Sequence, residues 1–158
     1  RATRKISYRA MAGMSWFDYA EGDQLKGSTY SVDASWVINQ KWAWSVAGSS
    51  YYQPSEREQN QAMQVYALSS GVIYRPARKL TTRFDIACRR EENQYASQTA
   101  PQLGGDNEDR FELRLRADYQ LRRNMSVYCG LEYQEQLSDD KDYEFDRYRG
   151  TLGVNLRY

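Results

Sequence analysis

The chain has no histidine, only three prolines and two cysteines, and no run of about 18 apolar residues. Without histidine the commonest general base is missing, and with it the serine-histidine-aspartate type of nucleophilic site. Without a long apolar run there is no transmembrane helix, although a barrel that crosses a membrane with strands needs none. Cys88 and Cys129 fall inside expected strands and lack the close-spaced partners of a zinc site. They are expected as free thiols packed as small hydrophobes, two strands and about 9–10 Å apart, beyond the ~7 Å reach of a disulfide. No Gly-rich phosphate loop or EF-hand spacing appears, and Gly104-Gly105 reads as a flexible loop tip. The formal net charge of +1 points to neither a nucleic-acid binder nor an acidic tail. The sequence opens at Arg1 without Met or a leader, as a mature or partial chain would. At 158 residues it suits a single domain, 1–158.

What is present is alternation. In 110–121, Phe111, Leu113, Leu115, Ala117, Tyr119 and Leu121 share one face, against Glu112, Arg114, Arg116, Asp118 and Gln120. The stretches 147–158, 125–135 and 80–90 repeat the pattern, the last with Phe84, Ile86 and Cys88 opposing Arg83, Asp85 and Arg89. Segments 5–19, 28–38 and 42–53 follow more softly, and 63–75 is read with Tyr66, Leu68, Val72 and Tyr74 on the apolar side. No segment carries a helical period. The connections 39–41, 75–79 and 122–124 are short, and 20–27, 54–62, 91–109 and 136–146 are longer. The expected fold is therefore all-β, an eight-stranded antiparallel up-and-down barrel with short turns at one rim and longer loops at the other.

A soluble barrel with the apolar face inside would alternate too. Aromatics separate the two readings. Tyr8 and Trp16, Trp44 and Tyr52, Phe111 and Tyr119, and Tyr148 and Tyr158 recur eight to ten residues apart on the apolar face. Eight residues of tilted strand rise roughly 20 Å along a membrane normal. That matches two aromatic girdles around a lipid-facing band, and a soluble core has no need of aromatics at both ends.

The opposite face carries Arg83, Asp85, Arg89, Glu112, Arg114, Arg116, Asp118, Glu132 and Arg149, expected as a charge network in the lumen. If positions of 80–90 and 110–121 that face one another sum to 201, Arg83 meets Asp118, Asp85 meets Arg116, Arg89 meets Glu112, and Phe84 sits beside Ala117. The following hairpins bring Arg114 opposite Glu132, Glu132 opposite Arg149, and Tyr128 over Gly153. Each carboxylate then has an arginine neighbour that keeps it ionised, the wrong state for a general acid. No enzyme, cofactor or metal site is expected.

The rims differ in sign. The long loops hold most of the acids, densest at 139–144, while the short turns hold Lys41, Arg75, Arg78, Lys79, Arg122 and Arg123. Basic turns suit anionic phospholipid headgroups, and clustered loop carboxylates suit divalent cations bridging to lipopolysaccharide.

The alternating run 148–158, ending on Tyr158, resembles the C-terminal assembly signal of bacterial outer-membrane proteins. In size and layout the chain is similar to the small OmpA/OmpX-type barrels, and its last third resembles the C-terminal ends of larger β-barrel porins. The resemblance implies a bacterial outer-membrane location, with outer-membrane lipids, lipopolysaccharide and the barrel-assembly machinery as partners, and no nucleic acid. It implies a structural or loop-mediated role around a closed polar lumen. The alternative is a porin-type transporter of small solutes, with this chain the C-terminal part of a wider barrel; a soluble binding barrel is the third reading.

Overall fold

A computed structural model describes residues 5–18, 24–54, 61–95, 107–138, 141 and 144–156. They form one antiparallel sheet in sequence order, β1 (Ile6–Asp18), β2 (Gln24–Val37), β3 (Trp42–Pro54), β4 (Gln61–Ala77), β5 (Leu80–Tyr95), β6 (Glu108–Arg122), β7 (Met125–Ser138) and β8 (Phe145–Leu156). Every strand pairs with its chain neighbours, as in an up-and-down barrel. Among the described residues no pairing joins β1 to β8.

The short turns are built from local chemistry. Asn39 Oδ1 accepts from the backbone N–H of Lys41 at 2.8 Å and of Trp42 at 2.9 Å, an Asx turn that folds β2 onto β3. Arg78 and Lys79 alone connect β4 to β5. Pro76 has no N–H to give the ladder, and the β4–β5 register shifts between Tyr74 and Ala77, around it. Arg123 and Asn124 join β6 to β7 beside a second register shift.

Strand existence and facing follow the alternation, including β4, whose Tyr74, Val72 and Leu68 lie opposite Trp42, Trp44 and Gly48. The strands run further toward the long loops than the alternation does. Glu91, Glu92, Glu108 and Asp109, expected in loops, belong to β5 and β6. The reason is that a bilayer needs only about 9–11 residues per strand, whereas these have 12 to 17. Beyond the lipid both faces meet water, so the hydrogen-bonded ladder continues while its apolar period stops.

The burial pattern places the apolar face outside. Among the described hydrophobic residues only Ala62 and Val65 are buried, whereas Leu152 is 85% and Tyr8 83% exposed. Ile6, Trp16, Val32, Leu68, Leu131 and Tyr148 are exposed beside them. A soluble protein does not leave so large an apolar surface in water. Cys88 and Cys129 are free and exposed on this face.

Candidate functional site

The polar face is organised as rows that cross the sheet. One runs through all eight strands: Ser7, Ser35, Ser45, Gly71, Asp85, Arg114, Glu132, Arg149. Its first half is hydroxyl and glycine. Ser7 and Ser35 share a hydrogen bond of 2.7 Å, and Asp85 lies over Gly71, where any Cβ would overlap its carboxylate. Its second half alternates in sign from strand to strand.

The β6–β7 and β7–β8 registers are the expected ones, with Arg114 opposite Glu132, Glu132 opposite Arg149 and Tyr128 opposite Gly153. A Cβ on Gly153 would meet the Tyr128 ring at 2.5 Å, so glycine is what admits the phenol. The β5–β6 register is not the expected one. Facing positions sum to 199, two less than expected, which sets Asp85 opposite Arg114, Ala87 opposite Glu112 and Phe84 opposite Leu115. Arg83 therefore faces Arg116 instead of Asp118, and Arg89 faces Arg110 instead of Glu112.

Like charges opposite one another cost stability unless each is satisfied elsewhere. Here one member of each pair, Arg116 and Arg89, finds a partner two residues along its own strand, on the same face. Arg116 makes two hydrogen bonds to Asp118, at 2.8 and 2.7 Å, and lies 4.2 Å over the Tyr128 ring. Arg89 pairs with Glu91 at 2.6 Å, and Arg114 with Glu112 at 2.6 Å. In exchange Asp85 joins the row that already holds Arg114 and Glu132.

Glu132 forms ion pairs with two arginines, Arg114 at 3.8 Å and Arg147 at 3.5 Å. The second was expected to be Arg149, which lies directly across the ladder but makes no ion pair among the described residues. Arg147 also donates to Gln134. Toward the long-loop end Arg110 donates twice to Gln136 Oε1, at 3.1 and 2.7 Å, and Gln136 Nε2 donates to Glu108 at 3.0 Å. Gln134, Gln136 and Glu108 are buried. Sequence reasoning missed this cluster because Glu108 and Gln136 were assigned to loops. The available signal was the step of two that continues from Glu132 through Gln134 to Gln136.

On the apolar face the aromatics gather toward both ends of the strands. Trp42 and Tyr74 stack at 4.1 Å near the short turns, and Tyr133 and Tyr148 approach at 4.8 Å toward the long loops. Trp44 Nε1 donates to Ser70 at 2.8 Å, which satisfies its polar edge. Tyr8, Trp16, Trp44, Tyr119 and Tyr148 are exposed there, while Phe111 is half-buried. Tyr52 is half-buried against Gly27, where a Cβ would overlap its ring; the β2–β3 ladder has ended by then, at Tyr30 and Ser50. Tyr158 and most of the 139–144 acidic cluster lie outside the described residues.

The pattern of a polar face, a lipid-type apolar face and an up-and-down topology has a counterpart in known families. The model of the family described as Putative beta-barrel porin 2 matches residues 4–158. The chain belongs to this family. A similar solved structure is OmpTdeltaL8, a loop L8 deletion mutant of OmpT, an outer membrane protein of Vibrio cholerae. It superposes with a TM-score of 0.68 at 14% identity, over 97% of this chain and 49% of that one. At that identity the likeness is one of fold. The porin-family chain spans about half the length of that structure. No curated protein sequence matches it. Family and fold together make it an outer-membrane β-barrel.

Proposed function

We propose that this chain forms a wall of a porin-type barrel in a bacterial outer membrane, and that its polar face borders a water-filled path for small polar solutes. The observation that carries this reading is the openness of that face. Eight strands closed into a barrel enclose only enough space for their own side chains. Here the side chains of Arg114, Arg116 and Arg147 are 54%, 44% and 45% exposed, and among the described residues β1 and β8 are not paired with each other. A sheet open at both edges with so accessible a polar face suits a wider barrel, with β1 and β8 meeting further strands. The half-length overlap with OmpTdeltaL8 is consistent with such a width. The role is non-catalytic. Lipid surrounds the apolar face, lipopolysaccharide lies at the long-loop rim, and the barrel-assembly machinery inserts the protein.

The alternative of a closed lumen with a structural or loop-displaying role predicts the opposite accessibility. In a background with Cys88 and Cys129 replaced by serine, Ser31→Cys and Ser49→Cys on the polar face should react with a charged, membrane-impermeant thiol reagent in intact membranes. Leu68→Cys on the apolar face should not. Protection of both polar-face positions would return the closed-lumen reading to first place.

A further inference from the structure

The short-turn end of the polar face contains a cavity of about 720 Å³. Its floor is the lowest part of the polar face, with Thr81, Asp118, Gln120, Ser126 and Asn155. Its flanks are two tight turns, Arg78-Lys79 between β4 and β5 and Arg122-Arg123-Asn124 between β6 and β7. The β4–β5 turn is held against β6 by a backbone hydrogen bond, in which Gln120 N–H donates to the Lys79 carbonyl at 2.8 Å. The β4–β5 turn is therefore held at the edge of the cavity.

Charge in this cavity is strongly one-sided. Arg78, Lys79, Arg116, Arg122 and Arg123 line it, against a single carboxylate, Asp118. That carboxylate is already taken by Arg116, through both of its oxygens. Four cations are left with no carboxylate partner among the described residues. Each is exposed and weak alone. A concave site lined by one sign of charge, however, concentrates counter-ions well beyond what one cation does. Thr81, Gln120, Ser126 and Asn155 place neutral hydrogen-bond donors at the floor.

We propose that this cavity is an anion-binding vestibule that takes a free phosphate- or carboxylate-bearing solute at the short-turn mouth of the path. The floor decides between a free solute and a lipid headgroup. Its residues belong to the polar face, with Arg116 and Glu132 further along the same strands; Met125 and Leu156, at the strand ends, are the two apolar residues that reach the cavity's edge. The proposal rests on the reading of the polar face as water-filled and adds the substrate class.

The test uses the full chain folded in zwitterionic detergent, titrated with inorganic pyrophosphate by calorimetry at low ionic strength. The chain should bind, and added salt should weaken binding as screening requires. Replacing both Arg122→Gln and Arg123→Gln should weaken it about tenfold or more. The paired Arg122→Lys and Arg123→Lys variant should restore most of the affinity, which separates charge from folding. Lys41→Gln, in the short turn outside the cavity, should leave it unchanged. Equal weakening by Lys41→Gln, or no effect of the glutamine pair, would overturn the proposal.

A second arm compares vesicles of phosphatidylcholine with vesicles that also contain phosphatidylglycerol. Pyrophosphate binding retained in both supports a free solute. Binding lost only with phosphatidylglycerol would assign the cations to lipid headgroups and overturn the vestibule. Reactive Ser31→Cys and Ser49→Cys together with failed pyrophosphate binding would leave the open path standing and remove only this inference.

Discussion

On the polar face of β2 and β3 the cross-strand partners are Ser31 with Ser49 and Ser35 with Ser45. On that of β6 and β7 they are Arg114 with Glu132 and Glu112 with Gln134. The two regions share topology and the same apolar exterior, yet their polar walls differ in kind. The first wall is short-chained: Ser, Thr, Gly and Ala dominate, and Arg9 opposite Asp33 supplies its main charge. The second is filled with guanidinium and carboxylate groups that bind one another along and across strands. The difference teaches that a sheet face bordering water has two ways to satisfy its polar groups. Small residues leave the backbone accessible and the surface low. Long charged residues build a raised layer whose members must be partnered within it.

The contrast is open to direct attack, first through the β5–β6 register that makes the second wall. With Cys88 and Cys129 replaced by serine, Asp85→Cys with Arg114→Cys should close a disulfide almost completely on mild oxidation. Asp85→Cys with Arg116→Cys should not. Directly opposed Cα atoms lie about 4.5–5.5 Å apart, within disulfide reach, and diagonal ones about 7–8 Å. The reverse outcome would break the eight-residue row at Asp85 and restore the opposite-charge register.

Packing differs next. Gly153→Leu puts a side chain where the Tyr128 ring lies, and should cost about 1–3 kcal/mol. Gly13→Ala, on the polar face of the first wall, meets only the Thr29 hydroxyl oxygen, at 3.1 Å, and should shift stability by less than ~0.5 kcal/mol. Reversible urea unfolding of both variants in the same detergent makes the comparison. Equal effects would mean that the second wall is no more tightly packed than the first.

The smallest effect concerns charge. Glu132 bridges two arginines, but its side chain is 22% exposed and theirs 54% and 45%. Water therefore reaches the cluster, and Glu132→Gln should cost no more than about 1 kcal/mol, the range of solvent-exposed pairs. Asp33→Asn in the first wall should cost less still. A loss of several kcal/mol at Glu132, in the same unfolding assay, would be the signature of a buried ion network. It would point to a lumen closed at eight strands.

The sequence by itself determined the number of strands, their order, their facing and the separation of an exterior from a polar face. Lipid on one side and water on the other impose a period of two that composition cannot disguise. It also located the short turns, and it set the β6–β7 register, because a tight connection leaves few offsets, and the β7–β8 register, because Tyr128 needs the space at Gly153. Only the tertiary structure decided the register across the long connection between β5 and β6. Long side chains there can be satisfied at i+2 on their own strand as well as across the ladder, so cross-strand charge matching has more than one solution. It also decided how far the strands extend past the lipid, where the ladder persists without an apolar face to announce it. And it brought two turns far apart in sequence, 78–79 and 122–124, to the rim of one cavity, a neighbourhood that arises from strand pairing and from no local pattern.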